Sequence, residues 1–112
     1  MKNNDLAVVH IPFSLKKANT FLTRLKGLMF RKKPLNEEVL WIIPCNSIHM
    51  CFMFFPIDAV FLDKQNRIAH LVENLQPWRL VLPVASAHSV IELPSGTIEK
   101  LELKLHQTLD LS

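Results

Sequence analysis

With 112 residues, of which 49% are hydrophobic and 21% charged, the chain is sized for one domain that buries its own core without disulfides or a structural metal, and is too short for two. That composition excludes an intrinsically disordered protein. The formal net charge is only +3, but the positive charge is concentrated in the first third of the chain.

The opening MKNNDLAVVHIP has no apolar stretch of signal-peptide length between Asp5, His10 and Pro12, so no secretory leader is expected. Residues 6–11 predict a short strand that Pro12 ends. From Phe21 onward apolar residues fall at 21, 22, 25, 28 and 29, the stripe of an amphipathic helix with Asn19 or Thr20 as its cap and Gly27 near its end. Lys16, Lys17, Arg24, Lys26, Arg31, Lys32 and Lys33 place seven of the thirteen basic residues in this neighbourhood, with no acid between residues 6 and 36. A solvated basic helix face is the simpler reading. The alternative is a basic helix over 16–33 that neutralises nucleic-acid phosphates, although Phe21 and Phe30 fall in or beside the apolar stripe and offer no stacking platform.

Residues 39–57 contain no Lys, Arg, Asp or Glu. Pro44, Asn46, Ser47, His49 and Pro56 punctuate the run, which argues against a membrane span and for two buried strands, 39–43 and 48–55. Residues 57–62 continue as a strand, and a polar turn at 63–67 leads into 68–75, predicting a hairpin. Pro77 and Pro83 break the segment after it. A strand over 89–93 precedes the turn at Pro94, Ser95 and Gly96. In the tail, Leu101, Leu103, Leu105, Leu109 and Leu111 alternate with polar residues, a period of two that predicts a half-buried strand, broken near His106 if at all. No repeat or linker divides the chain. The expected fold is mainly β (α+β): a small, curled, barrel-like sheet of five or more short strands with one helix packed against it, in one domain spanning 1–112.

The twenty residues 44–63 hold both cysteines and four of the seven phenylalanines, and are the natural place to look for a site. Cys45 and Cys51 in an extended segment stand roughly 20 Å apart, at about 3.3 Å per residue, too far for a disulfide. With no sequon and no leader expected, two free thiols in a reducing cytoplasm are the expectation. Cys45, His49, Cys51 and Met53 share one side of such a strand, a soft face suited to Cu(I) or Zn. Same-side neighbours about 6.6 Å apart converge only if the strand bends, and no C-x2-C spacing is present, so core packing is the reading and neither metal nor cofactor is expected.

Asp58 is the only acid between Glu38 and Asp63. At the start of an apolar strand it needs backbone donors or an arginine such as Arg24, Arg31 or Arg79 if it is to stay ionised. A turn-capping role is the simpler reading, and a ligand contact or general base the functional one. His49 lies in the apolar segment, where its ring needs a partner such as Glu92 or Asp58. The serines lack a nucleophile elbow, and Gly27 and Gly96, the only glycines, cannot build a phosphate-cradling loop.

Three segments, taken together and in order, carry a resemblance: RLKGLMFR at 24–31, the run from Met53 to Asp63 around Pro56, Ile57 and Asp58, and VIELPSG at 90–96. Over residues 18–111 the chain resembles the domain of unknown function 192 family, also called uncharacterised protein family 0127. The resemblance implies a compact β-rich domain and brings no agreed activity with it. The expected function is a non-catalytic module binding a small molecule or a macromolecule in a cleft near His49, Asp58 and Glu92, with Arg24 and Arg31 at the rim. A small enzyme using Asp58 or His49 as general base on an anionic substrate, and a nucleic-acid accessory protein, are the alternatives. No membrane partner is expected.

Overall fold

Segments 39–43, 57–62 and 89–93, apolar on both alternating faces, form the centre of a sheet covered on both sides, as that pattern requires. A computed structural model of the protein describes residues 8–20 and 38–111. In chain order the elements are β1 (Val8–His10), β2 (Ser14–Ala18), β3 (Glu38–Ile42), β4 (Ile48–His49), β5 (Ile57–Leu62), β6 (Ile68–Leu75), β7 (Leu80–Val81), β8 (Ser89–Pro94), the four-residue helix α1 (Thr97–Lys100) and β9 (Thr108–Asp110). The described fold is therefore mainly β with one short helix. No helix among the described residues is long and apolar enough to cross a membrane.

The main sheet has the order β2-β3-β8-β5-β6, with β2 and β3 parallel and the remaining pairs antiparallel. Its two faces have different partners. Val39, Val60, Leu62, Ile91 and Leu93 point to one side, which packs on Ile11, Ile98, Leu103 and Leu109. Leu40, Ile42, Ala59, Phe61 and Val90 point to the other, against Ile48, Met50, Met53 and Phe55. The parallel pair β1-β9 approaches the β6 end of the sheet through one isolated bridge, Arg67 to Thr108. The sheet is not closed into a barrel: its described strands end at two edges, β2 and β6.

Three further expectations are corrected. The strand expected over 48–55 stops at His49, because Phe52 takes a left-handed conformation (φ 61°) and the Met53 N–H closes a turn onto the Met50 carbonyl at 3.2 Å. Met50, Met53 and Phe55 still reach the core, but from a bent chain. In the tail the leucine alternation comes from turns. Helix α1 forms at its start, and Glu102 and His106 are both left-handed (φ 54° and 77°), so only Thr108–Asp110 pairs as a strand. The basic helix expected over 16–33 does not begin at residue 16: Lys16 and Lys17 belong to β2, with the Lys17 ammonium over the Trp41 ring at 5.2 Å. The amphipathic stripe at 21–29 lies outside the described residues.

The β5-β6 hairpin forms as expected, and Asp63 organises it. Its Oδ1 accepts from the backbone N–H groups of Gln65 and Arg67, each at 2.9 Å, and its Oδ2 from Arg67 Nε at 3.1 Å. Partial burial opposes ionisation, but these backbone donors and the guanidinium outweigh it and hold the carboxyl below its ordinary value. We expect Asp63→Ala to cost about 1–2 kcal/mol at neutral pH. Because a lowered pKa stabilises only above the unfolded value, the cost shrinks as pH falls below about 4, which urea unfolding at several pH values will show.

Candidate functional site

Asp58 opens β5 on the face it shares with Leu93, its direct partner in β8. The carboxylate is fully buried and both oxygens are occupied. Oδ1 accepts the Asn74 N–H at 2.8 Å, and Oδ2 accepts those of Gly96 and Ile98 at 3.1 and 2.8 Å. One side chain thus ties the start of β5 to the end of β6 and to the turn from β8 into α1. The turn needs Gly96, whose φ of 94° is one that other residues rarely adopt. Thr97 and Ser95 reinforce it, Thr97 Oγ1 donating to the Pro94 carbonyl at 2.6 Å and Ser95 Oγ to Asn74 Oδ1 at 2.8 Å. Among the described residues, backbone donors hold Asp58.

Glu92 lies two strands' breadth from either edge of the sheet on the central strand β8, directly between Leu40 of β3 and Ala59 of β5. That pairing puts it on the face opposite Asp58. The side chain is buried, and burial raises its carboxyl from 4.5 to about 7. Its Oε1 has no hydrogen-bond partner among the described residues. Trp41 Nε1 and Ser89 Oγ are orphaned in the same way, but Glu92 alone of the three can carry a charge.

His49 is exposed in β4 and faces Leu80 across the β4-β7 pair. Its neighbours Ile48 and Met50 pack into the cluster under the Glu92 face, so His49 lies in the layer over that face while its own side chain points outward, away from Glu92. Arg24 and Arg31 lie outside the described residues. The structure therefore does not gather His49, Asp58 and Glu92 into one cleft: the sheet separates Asp58 from Glu92, and His49 faces outward. Hollows of about 340 and 310 Å³ lie among the described residues. The first is lined by His10, Phe13, Leu15 and Asp110 among others, the second by Pro44, Cys45, Asn46, Ala87 and His88. Neither reaches the expected site residues.

The soft face does not assemble either. The chain leaves Cys45 and Cys51 half-buried, Cys45 Sγ donating to the Ser47 carbonyl at 3.0 Å, and Met53 in the core. Among the described residues no three His, Cys, Asp or Glu side chains are grouped to hold a metal ion. Sequence reasoning missed a further group, the exposed apolar side chains around Trp78. Their signal was the string LQPWRLVLP at 75–83, in which only the prolines and Arg79 were weighed.

The model of the DUF192 family, described as an uncharacterized ACR, matches residues 4–111. The chain belongs to this family. Among DUF192 relatives, a UPF0127 protein of Pyrococcus horikoshii is 40% identical over 76% of this chain and 76% of its own length. A UPF0127 protein of Thermococcus sibiricus is 35% identical over 86% of this chain, which spans 64% of that relative. A crystal structure of a protein of unknown function from Novosphingobium aromaticivorans is similar in fold, with a TM-score of 0.73 and 27% identity over 83% of this chain and 71% of its own. DUF192 membership fixes the family and the fold; the chemistry has to be argued from the residues.

Proposed function

We propose that this DUF192 protein is a non-catalytic, cytoplasmic binding module in which Glu92 receives a hydrogen-bond donor from a small ligand. One observation carries the reading: a buried carboxyl on the central strand of the sheet keeps an oxygen without a partner among the described residues. Such a group costs stability where an apolar residue would add to it, so its presence needs a use. The donor it suits is an ammonium, guanidinium or amide. His49, on the same side of the sheet, is assigned to the rim. Arg24 and Arg31 keep the role the sequence suggests, as cationic contacts to the acids or to an anionic part of the ligand. Asp58 serves the site indirectly by fixing β5, with both oxygens spent on backbone donors. The general-base alternative has no free carboxylate at Asp58 to work with.

The test is a thermal-shift comparison of the protein and Glu92→Gln against arginine, agmatine, spermidine, adenine and simple amides. At least one compound should raise the wild-type Tm by about 3 °C or more at saturation, and the gain should vanish in Glu92→Gln. A shift of equal size in the variant, or no shift with any probe, removes Glu92 as a ligand contact.

A further inference from the structure

Five of the large exposed hydrophobic residues come from two neighbouring segments: Phe52 (44% exposed), Phe54 (56%), Trp78 (61%), Leu80 (63%) and Leu82 (73%). Their placement is built into the fold. β4 and β7 pair with His49 opposite Leu80, so these two side chains share the outward face of the ribbon, and Leu82, two residues beyond Leu80, continues it. Beyond the ribbon the Trp78 N–H donates to the Met50 carbonyl at 2.8 Å and the Met50 N–H to the Arg79 carbonyl at 2.7 Å. The Phe52 and Trp78 rings meet edge to face with centroids 5.1 Å apart. Both residues have positive φ (61° and 67°), a backbone state that bulky side chains seldom occupy. The patch is therefore one surface, displayed by two hydrogen-bonded turns.

Its electrostatics select the partner. Segments 39–57 and 74–91, which supply the patch, contain no Asp or Glu, and their one formal charge is Arg79, exposed between Trp78 and Leu80. Lys16 stands opposite Leu40 and so adds a second cation on the same side of the sheet. Trp, Phe and Leu side chains with Arg79 and Lys16 nearby, on segments that hold no Asp or Glu, match the boundary between acyl chains and anionic headgroups, where Trp is enriched and where basic side chains gain from the surface potential.

We propose that the Phe52–Trp78 patch, with Leu80 and Leu82, docks the protein peripherally on an anionic lipid surface. Docking of this kind departs from the expectation of no membrane partner; it is separate from spanning, which the sequence argues against, and independent of the Glu92 reading because none of the patch side chains is assigned to that site.

Trp78 is one of only two tryptophans, and Trp41 is half-buried, so Trp78 emission reports on the patch. Vesicles of phosphatidylglycerol mixed equally with phosphatidylcholine should shift that emission to the blue and sediment the protein. Pure phosphatidylcholine should bind at least about tenfold more weakly. Leu80→Ser with Leu82→Ser keeps the reporter and removes two exposed residues that bear no core load; it should weaken binding to the anionic vesicles by about tenfold or more. Absence of binding to anionic vesicles, equal binding to both vesicle types, or unchanged binding by the double variant overturns the proposal. Self-association that the double variant abolishes, without vesicle binding, would assign the patch to a second copy of the chain and overturn it equally.

Discussion

Replacing Asp58 with Ala is expected to lower the stability of the domain by about 3–5 kcal/mol, more than any substitution on its surface. The carboxylate accepts three backbone N–H groups, from Asn74, Gly96 and Ile98, at 2.8–3.1 Å. Hydrogen bonds to a charged acceptor are roughly twice as strong as neutral ones, and the alanine variant leaves all three donors without their acceptor. For a domain of this size each 1 kcal/mol shifts Tm by roughly 4–6 °C, so Asp58→Ala should melt about 12–30 °C lower. Asp58→Asn should fall between, at about 2 kcal/mol, since its carbonyl can still accept while its amide turns a donor toward N–H groups. Thermal unfolding gives the ordering Asp, Asn, Ala. Native-state hydrogen exchange should show the amides of Asn74, Gly96 and Ile98 losing protection first. A loss below about 1 kcal/mol in the alanine variant would mean that this carboxylate does not hold the three segments together.

The anchoring role of Asp58 was legible because it is the lone acid at the start of an apolar strand just past Pro56, a place where a buried carboxyl needs hydrogen-bond donors. The strands 57–62, 68–75 and 89–93 were legible for a similar reason: each is bounded by a turn signal and long enough for its period to show. What the sequence did not reveal is which acids share a face. Asp58 and Glu92 both occupy strands that pair side by side, and a register one residue different would set them opposite each other. The register that forms pairs Asp58 with Leu93 and Ala59 with Glu92, and a single residue of slip exchanges the faces. Period-two patterns misled at 101–111 and 48–55 because left-handed residues, Glu102, His106 and Phe52, reset the alternation without any glycine to announce it. The Trp78 patch was hidden by a different cause: an apolar residue reads as core in a pattern, and only tertiary placement distinguishes covered from uncovered.

Glu92 should make the protein less stable as pH rises through neutrality, the opposite of what a salt-bridged carboxylate does. Burial between Leu40 and Ala59 raises its carboxyl from 4.5 to about 7. Between those two values the unfolded chain has released its proton while the folded chain still holds it. The folded state then binds more protons, so unfolding free energy falls with pH across this window and levels out on either side. A shift of this size corresponds to about 3 kcal/mol. The residues directly opposite Glu92, Leu40 and Ala59, are uncharged, so neither offsets the effect. Urea unfolding from about pH 4 to 8 should show this decline in the wild type and its removal in Glu92→Gln. Glu92→Leu should be more stable than the wild type by about 3 kcal/mol at pH 8, since an apolar side chain replaces an uncompensated buried charge. A wild-type profile that runs parallel to that of Glu92→Leu would show that the carboxyl is not sealed. The same experiment bears on function: a cationic ligand that donates to Oε1 favours the ionised carboxyl, so a bound probe should flatten the decline by stabilising the protein most above neutral pH.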